Sequence, residues 1–190
     1  MKITVSIPCY RSAKTLPYVV EQIKKTVAQR PSYSYQIILV NDCSPDNTFD
    51  VIRSLCQEDE NIVGVNLSRN WGQATARMAS IPYIEGDCTV FMDDDGQHPI
   101  DHLFDLVDKI EEGYDLVSAD FSQKQTKFMN RFTSAISAKV YTAMGKRPKG
   151  AVSSAYFAIN KMCTDSLKKY QSPFPSIFGY IYQIAGRITS

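Results

Sequence analysis

The feature that most constrains this chain is a regular alternation of short apolar, β-branched runs with longer stretches of helical spacing. Residues 3–7, 36–40, 62–67, 87–92 and 114–119 each read as one strand. Between the first two, residues 13–29 carry Leu16, Val19, Val20, Ile23 and Val27 at the i, i+3, i+4 spacing of an amphipathic helix. Ser44, Pro45, Asp46, Asn47 and Thr48 supply turn and cap chemistry before a helix bearing Val51, Ile52 and Leu55, and residues 72–84 and 99–112 read as further helices. Strands separated by helices of about a dozen residues need crossover connections, which predicts an α/β chain with a mostly parallel sheet and helices on both faces. Past Asp120 the pattern changes. Residues 127–144 fit one long helix with Phe128, Phe132, Ile136 and Val140 on a single stripe, followed by a basic loop, a sixth strand over 154–159 and a helix over 161–170. No linker or repeat interrupts the sequence, so residues 1–190 read as a single domain.

Composition narrows the classes. With 21 Lys and Arg against 20 Asp and Glu, a net charge of +1, the chain lacks the basic footprint that long phosphate backbones require, and nucleic acid is not the expected partner. Cys9, Cys43, Cys56, Cys88 and Cys163 form no C-x-x-C pair and sit mostly in apolar patterns, which predicts reduced, buried thiols and a cytoplasmic setting. No stretch approaches the ~18 consecutive apolar residues of a membrane span, and the N-terminus has no signal-peptide pattern, so the chain reads as soluble. Residues 178–190 are still apolar and patterned, as expected of a piece truncated from a longer protein.

In open α/β sheets ligands bind outside the carboxyl ends of the strands, and here those ends are polar. Pro8, Cys9, Tyr10 and Arg11 close the first run, Asn41 and Asp42 the second, Ser68, Arg69 and Asn70 the third, and Asp93, Asp94 and Asp95 the fourth. Three consecutive carboxylates repel one another unless a cation or a hydrogen-bond network neutralises them. In an extended segment Asp93, Asp95 and Gln97 point to one side and offer hard oxygen ligands suited to Mg²⁺ or Mn²⁺, while Asp94 faces the other way. The alternative is a solvated acidic turn capping the next helix. His98 reads either as a further ligand or as a loop hydrogen bonder. Asp42 is either a cap or an acceptor for a nucleobase N–H, Tyr10 either stacks on that base or fills the core beneath it, and Gly72 either permits close backbone approach to a ligand or starts a helix.

Taken in order, Ser6-Ile7-Pro8-Cys9-Tyr10, Val40-Asn41-Asp42-Cys43-Ser44-Pro45-Asp46-Asn47-Thr48, Ser68-Arg69-Asn70-Trp71-Gly72-Gln73 and Met92-Asp93-Asp94-Asp95-Gly96-Gln97-His98-Pro99 resemble the family 2 glycosyltransferases of the GT-A fold. Within that family the wording is most similar to the polyprenyl-phosphate glycosyltransferases, which act on dolichyl or undecaprenyl phosphate. The resemblance spans about residues 3–120 and implies a Rossmann-like GT-A domain, with a nucleotide-sugar part over about 1–120 and an acceptor-side part over about 121–190. It implies that Asp93 and Asp95 are the DXD acids with Gln97 beside them at the metal, and that Pro8, Tyr10, Asp42, Arg69, Gly72, Asp93 and Asp94 meet the nucleotide sugar. The chain departs from the family where Arg11 and Ser12 replace an Asn and an acid, and where Asn41 replaces a second Asp.

The expected reaction is metal-dependent, inverting sugar transfer from a nucleoside-diphosphate sugar, with a UDP-sugar favoured over a GDP-sugar. Asp95 and Arg131 are the expected catalytic residues, Asp95 through the metal and Arg131 through the acceptor. Residues 150–157 carry no acid to serve as a base, which favours an already anionic lipid phosphate over a saccharide hydroxyl. Lys124, Lys127, Arg131 and Lys139 supply cations for it. Membrane association is then expected at the cytoplasmic face, through a segment beyond residue 190. The rival readings are transfer to a saccharide in cell-envelope polysaccharide synthesis, an inactive nucleotide-binding scaffold, a nucleotidyl or phosphoryl transferase, which would need a second acidic cluster or a phosphate-binding loop, and a flavodoxin-like signalling module.

Overall fold

The computed structural model describes residues 1–96, 100–119, 154–171 and 176–190. Strands β1 (Lys2–Cys9), β2 (Ser34–Asn41), β3 (Ile62–Asn66) and β4 (Cys88–Phe91) are parallel neighbours in the order β3-β2-β1-β4. Strand β6 (Phe157–Asn160) then pairs antiparallel with both β4 and β5 (Leu116–Ser118), and β7 (Ile188–Thr189) lies parallel beside β5, giving seven strands in one sheet among the described residues. This is a mostly parallel, GT-A-like sheet. The expected sixth strand therefore does not extend the parallel series but inserts between β4 and β5. A strand arriving from far along the chain can take either direction, and hydrophobic patterning alone does not distinguish them.

The helices divide between the faces as their apolar stripes demand. Helices α1 (Leu16–Ala28), α2 (Thr48–Glu58) and α4 (Leu103–Glu111) pack on the face carrying Ile3, Val5, Ile7, Ile37, Leu39 and Val90. Helices α3 (Gln73–Ser80), α5 (Lys161–Lys168) and α6 (Ile177–Ile184) pack on the face carrying Ile38, Val40, Phe91, Phe157 and Ile159. There Phe91 and Phe157 stack with centroids 4.7 Å apart, and Phe178 of α6 lies 4.5 Å beyond, so the inserted strand is bound to its neighbours by rings as well as by backbone. Strand β1 is apolar on its first face only. On the second, buried Thr4 donates to Gln36 Oε1 at 2.8 Å and accepts from the Gly86 N–H at 2.9 Å, and Ser6 donates to Ser80 Oγ at 2.7 Å. A Cβ on Gly86 would stand 2.6 Å from Thr4 N and Oγ1, so only glycine lets that loop reach the strand.

Two expected helices are shorter than their periodicity. The run over 72–84 ends as α3 and continues as the 3₁₀ turn Ile81–Tyr83, because Pro82 has no N–H to donate to the preceding turn. The run over 99–112 begins with the 3₁₀ turn Ile100–His102 before α4. Residues 178–190 supply most of α6 and all of β7, which the strand count from sequence missed. The expected long helix 127–144 lies outside the described residues. No helix among the described residues is long and apolar enough to cross a membrane.

Candidate functional site

The register of the parallel strands brings their carboxyl ends level. Cys9 pairs with Asn41 and Asn41 with Asn66, while Ser6 pairs with Phe91 so that the acids after β4 emerge alongside Tyr10. Hydrogen bonds then knit the four loops. Asp94 Oδ2 accepts from the Tyr10 N–H at 2.9 Å and from the Ser12 hydroxyl, fixing the turn after β1 to the end of β4. The Arg11 N–H donates to Ser44 Oγ at 3.0 Å, and the Ser12 N–H to Thr48 Oγ1 at 2.9 Å, whose own hydroxyl donates to Asp46 at 2.6 Å. Both backbone kinks here lie in the left-handed region in non-glycine residues, Arg11 at φ 58° and Cys43 at φ 52°. Such strain persists only where the surroundings enforce it.

Asp42 is 4% exposed and holds the loop after β3 with both carboxylate oxygens: the Trp71 N–H donates to Oδ1 and the Gly72 N–H to Oδ2, each at 2.8 Å. Gly72 sits at φ 84° immediately before α3, so this bidentate grip sets the entry angle of the helix. Both the cap-like and the ligand-facing alternatives for Asp42 thus start from a residue already engaged by backbone. Around it two aromatic rings carry guanidinium groups. Arg69 lies 3.5 Å over the exposed Trp71 ring, and Arg11 5.5 Å over Tyr10, which is 44% exposed and so is not core filler.

The three acids have different surroundings. Asp95 is exposed, and Asp94 meets the turn after β1 from a bend that begins beyond the end of β4. Asp93 is met by α3: Oδ1 accepts from Arg77 Nη2 at 2.8 Å and also from the Gln73 side-chain amide. Gln73 and Arg77 stand four residues apart, on one face of α3; that shared face is readable in the sequence, but what it meets is not. Ser12, Gln73 and Arg77 are the site residues that strand-end reasoning missed. Burial holds the Arg77 pKa below its ordinary value, against the opposing pull of Asp93. Beneath the acids, burial pushes the Cys9 thiol well up, with the charge of Asp94 adding to it, so this cysteine is an inert core group. Cys88 and Cys163 are buried as well, in line with thiols that sit mostly in apolar patterns, whereas Cys43 is exposed at the site and Cys56 is half-buried. Cys43 lies past the end of β2, in the left-handed turn at φ 52°, and Cys56 lies on α2 outside its buried positions.

Pro8 is the buried penultimate residue of β1, and Pro8, Tyr10, Asp42, Arg69, Gly72, Asp93, Asp94 and Asp95 are accordingly gathered at one sheet end. Gln97 and His98, together with Lys124, Lys127, Arg131 and Lys139, lie outside the described residues. Among the described residues no group of three or more His, Cys, Asp or Glu side chains is placed to hold a metal.

Residues 4–170 match the family described as Glycosyl transferase family 2. The chain belongs to that family. It is 32% identical over 157 residues to the undecaprenyl-phosphate 4-deoxy-4-formamido-L-arabinose transferase of Shewanella sediminis, a match covering 81% of this chain and 45% of that protein. The Pseudomonas fluorescens protein of the same name is 34% identical over 137 residues, covering 70% and 39%. This chain therefore spans less than half the length of these curated relatives. Among solved structures, S. aureus TarS in complex with UDP-GlcNAc superimposes with a TM-score of 0.65 at 19% identity, covering 100% of this chain and 56% of that one. The Mycobacterium tuberculosis glucosyl-3-phosphoglycerate synthase bound to Mn²⁺, UDP-glucose and phosphoglyceric acid gives 0.62 at 21%, covering 85% and 57%. These likenesses establish the fold.

Proposed function

We propose that this chain is the GT-A catalytic domain, with a nucleotide-sugar part over about 1–120 and an acceptor-side part over about 121–190, of a glycosyltransferase that moves a sugar from a nucleoside-diphosphate donor to a polyprenyl phosphate, with inversion. The observation that carries the reading is the convergence of Tyr10, Asp42, Arg69 and the triple-acid run at one sheet end in a family 2 chain. The name of the 32% identical relatives supports the lipid-phosphate acceptor.

Tyr10 offers an exposed ring for base stacking, and each Asp42 oxygen, holding one backbone N–H, keeps a second lone pair for a uracil N3–H. Guanine presents an N–H edge to the same lone pair, and the preference for UDP over GDP as donor nucleotide rests on the resemblance to family members that use uridine donors. Carboxylate oxygens of Asp95 and Asp93, with Gln97, form a hard donor set that fits Mg²⁺ or Mn²⁺. When bound, such a cation stabilises the charge developing on the departing diphosphate. Asp94 acts by holding the Tyr10 turn in place, and Gly72 by bringing the backbone of the third loop close to the pocket. Arg131 is assigned to the acceptor phosphate, which a guanidinium grips bidentately. An acceptor phosphate is already anionic, and residues 150–157 correspondingly carry no acid for base catalysis. The reaction belongs at the cytoplasmic face of a membrane, where a lipid phosphate is presented.

The test is a titration with UDP, GDP and dTDP, with and without Mn²⁺, followed by fluorescence of Trp71, the single tryptophan of the chain. UDP with Mn²⁺ should bind, and Asp95→Asn should weaken it. Absence of nucleotide binding in Mn²⁺ overturns the proposal, and binding without any sugar transfer by the full-length protein reduces it to a scaffold.

A further inference from the structure

The acid expected to be a metal ligand, Asp93, is already paired. Its Oδ1 is shared by the Arg77 guanidinium and the Gln73 amide, and Arg77 is itself held in place by burial, with only 11% of its side chain exposed against 22% for Asp93. Arg77 Nη2 also lies 3.4 Å from the Ala155 carbonyl before β6, and its Cζ stands 6.0 Å from the Phe157 ring. The guanidinium is thus wedged between α3 and the inserted strand and aimed at the end of β4. A cation approaching Asp93 would meet a carboxylate whose charge is already balanced.

We propose that Arg77 is the resident counter-charge of Asp93, and that it yields this carboxylate to a divalent cation only when a nucleoside diphosphate arrives. In the free protein the Asp93–Arg77 pair is neutral, so it offers a second cation no net attraction, and the guanidinium already occupies Oδ1. A diphosphate reverses the balance, because it brings negative oxygens that satisfy both the cation and the displaced guanidinium. Metal and nucleotide then bind with positive coupling, and that coupling is reciprocal. Arg77 is in this sense a positioning residue: it acts through Asp93. Burial supports the exchange, since a buried guanidinium that loses its carboxylate needs another anion.

The inference rests on the nucleotide-sugar reading, and the test separates the two. Mn²⁺ binding is measured by electron paramagnetic resonance with and without UDP in the parent, Arg77→Met and Arg77→Lys. Arg77→Met should bind Mn²⁺ alone about tenfold more tightly than the parent, ~1.4 kcal/mol, and UDP should then enhance Mn²⁺ affinity less than it does in the parent. Arg77→Lys keeps the charge and should retain most of the coupling. Mn²⁺ should also raise the melting temperature of Arg77→Met more than that of the parent, since the ion replaces the lost partner. A role confined to packing would move none of these. Should Arg77→Met fail to fold, the parent carries the test: diamagnetic Mg²⁺ with UDP should shift the Arg77 side-chain ¹⁵N signals as Nη2 leaves Asp93. Folded Arg77→Met with no gain in Mn²⁺ affinity, or unchanged Arg77 signals on saturation with Mg²⁺ and UDP, overturns the inference. A parent that binds no UDP in Mn²⁺ overturns the nucleotide reading instead, and a tighter Mn²⁺ site in Arg77→Met would still stand.

Discussion

Replacing Asp42 by Asn keeps the shape of the side chain and removes its ability to accept at both ends. In the parent, Trp71 and Gly72 donate separately to Oδ1 and Oδ2 at 2.8 Å. An asparagine keeps one of these as a neutral bond and turns an NH₂ group toward the other N–H. A hydrogen bond to a charged group contributes about 1.5–3 kcal/mol, and a neutral one about 1 kcal/mol. The full loss is offset in part, because Trp71 is 50% exposed and its loop can open to water. We therefore expect a cost of about 1–3 kcal/mol, expressed mostly as local opening of the loop into α3 and less as global unfolding. Hydrogen exchange at the Trp71 and Gly72 amides should speed by roughly ten- to a hundredfold, tenfold for each ~1.4 kcal/mol. Trp71, the single tryptophan, should shift its emission as its contact with Arg69 loosens. UDP affinity should fall with the loop. Unchanged exchange at both amides in a folded Asp42→Asn would refute the view that this carboxylate organises the third loop.

Asp59 lies between Lys24 Nζ at 2.8 Å, the Tyr35 hydroxyl at 2.6 Å and the Asn61 backbone and side-chain N–H groups at 3.0 Å. Burial alone would raise its pKa, yet these donors together hold it well below the usual carboxylate range. The unfolded state then binds the extra proton first, so this stabilisation is complete above about pH 4 and is lost as pH falls further. Urea denaturation of Asp59→Asn should show lower stability at pH 7 and a flatter decline below pH 4 than the parent; parallel curves would remove Asp59 from the account. Gly86→Ala, which forces a Cβ to 2.6 Å from Thr4, should cost about 1–3 kcal/mol in the same assay, and a neutral result would show that the loop moves freely. In the full-length protein, Arg131→Ala should leave UDP affinity nearly unchanged while reducing transfer to a polyprenyl phosphate; lost UDP binding with undiminished transfer per bound donor would move this residue to the donor site.

What the sequence determined by itself is what depends on near neighbours. Helical spacing from Leu16 to Val27 and the β-branched runs specify where elements form, because a helix or a strand places its apolar residues by local period. The polar ends of four runs were legible for the same reason, since strands of a parallel sheet must deliver their carboxyl ends to one side. The acids after the fourth run were legible as a cluster, but β4 ends at Phe91 and the chain bends over 94–96, so the separate partners of Asp93 and Asp94 come from α3 and the turn after β1 and not from a pleat. Tertiary structure decided everything that joins distant residues. The reversal of β6 between β4 and β5 depends on which edge remained open, and the Phe91–Phe157 stack that seals it pairs residues with no local relation. Asp42 meets backbone N–H groups 29 and 30 residues later in the chain, a choice made by where the loop after β3 lands and not by the aspartate. Arg77 reads locally as a polar residue near the end of an amphipathic helix, and only packing α3 against β1 and β2 brings its guanidinium to Asp93. Charge partners of this kind are set by distance in space, and a one-dimensional pattern carries no term for that distance.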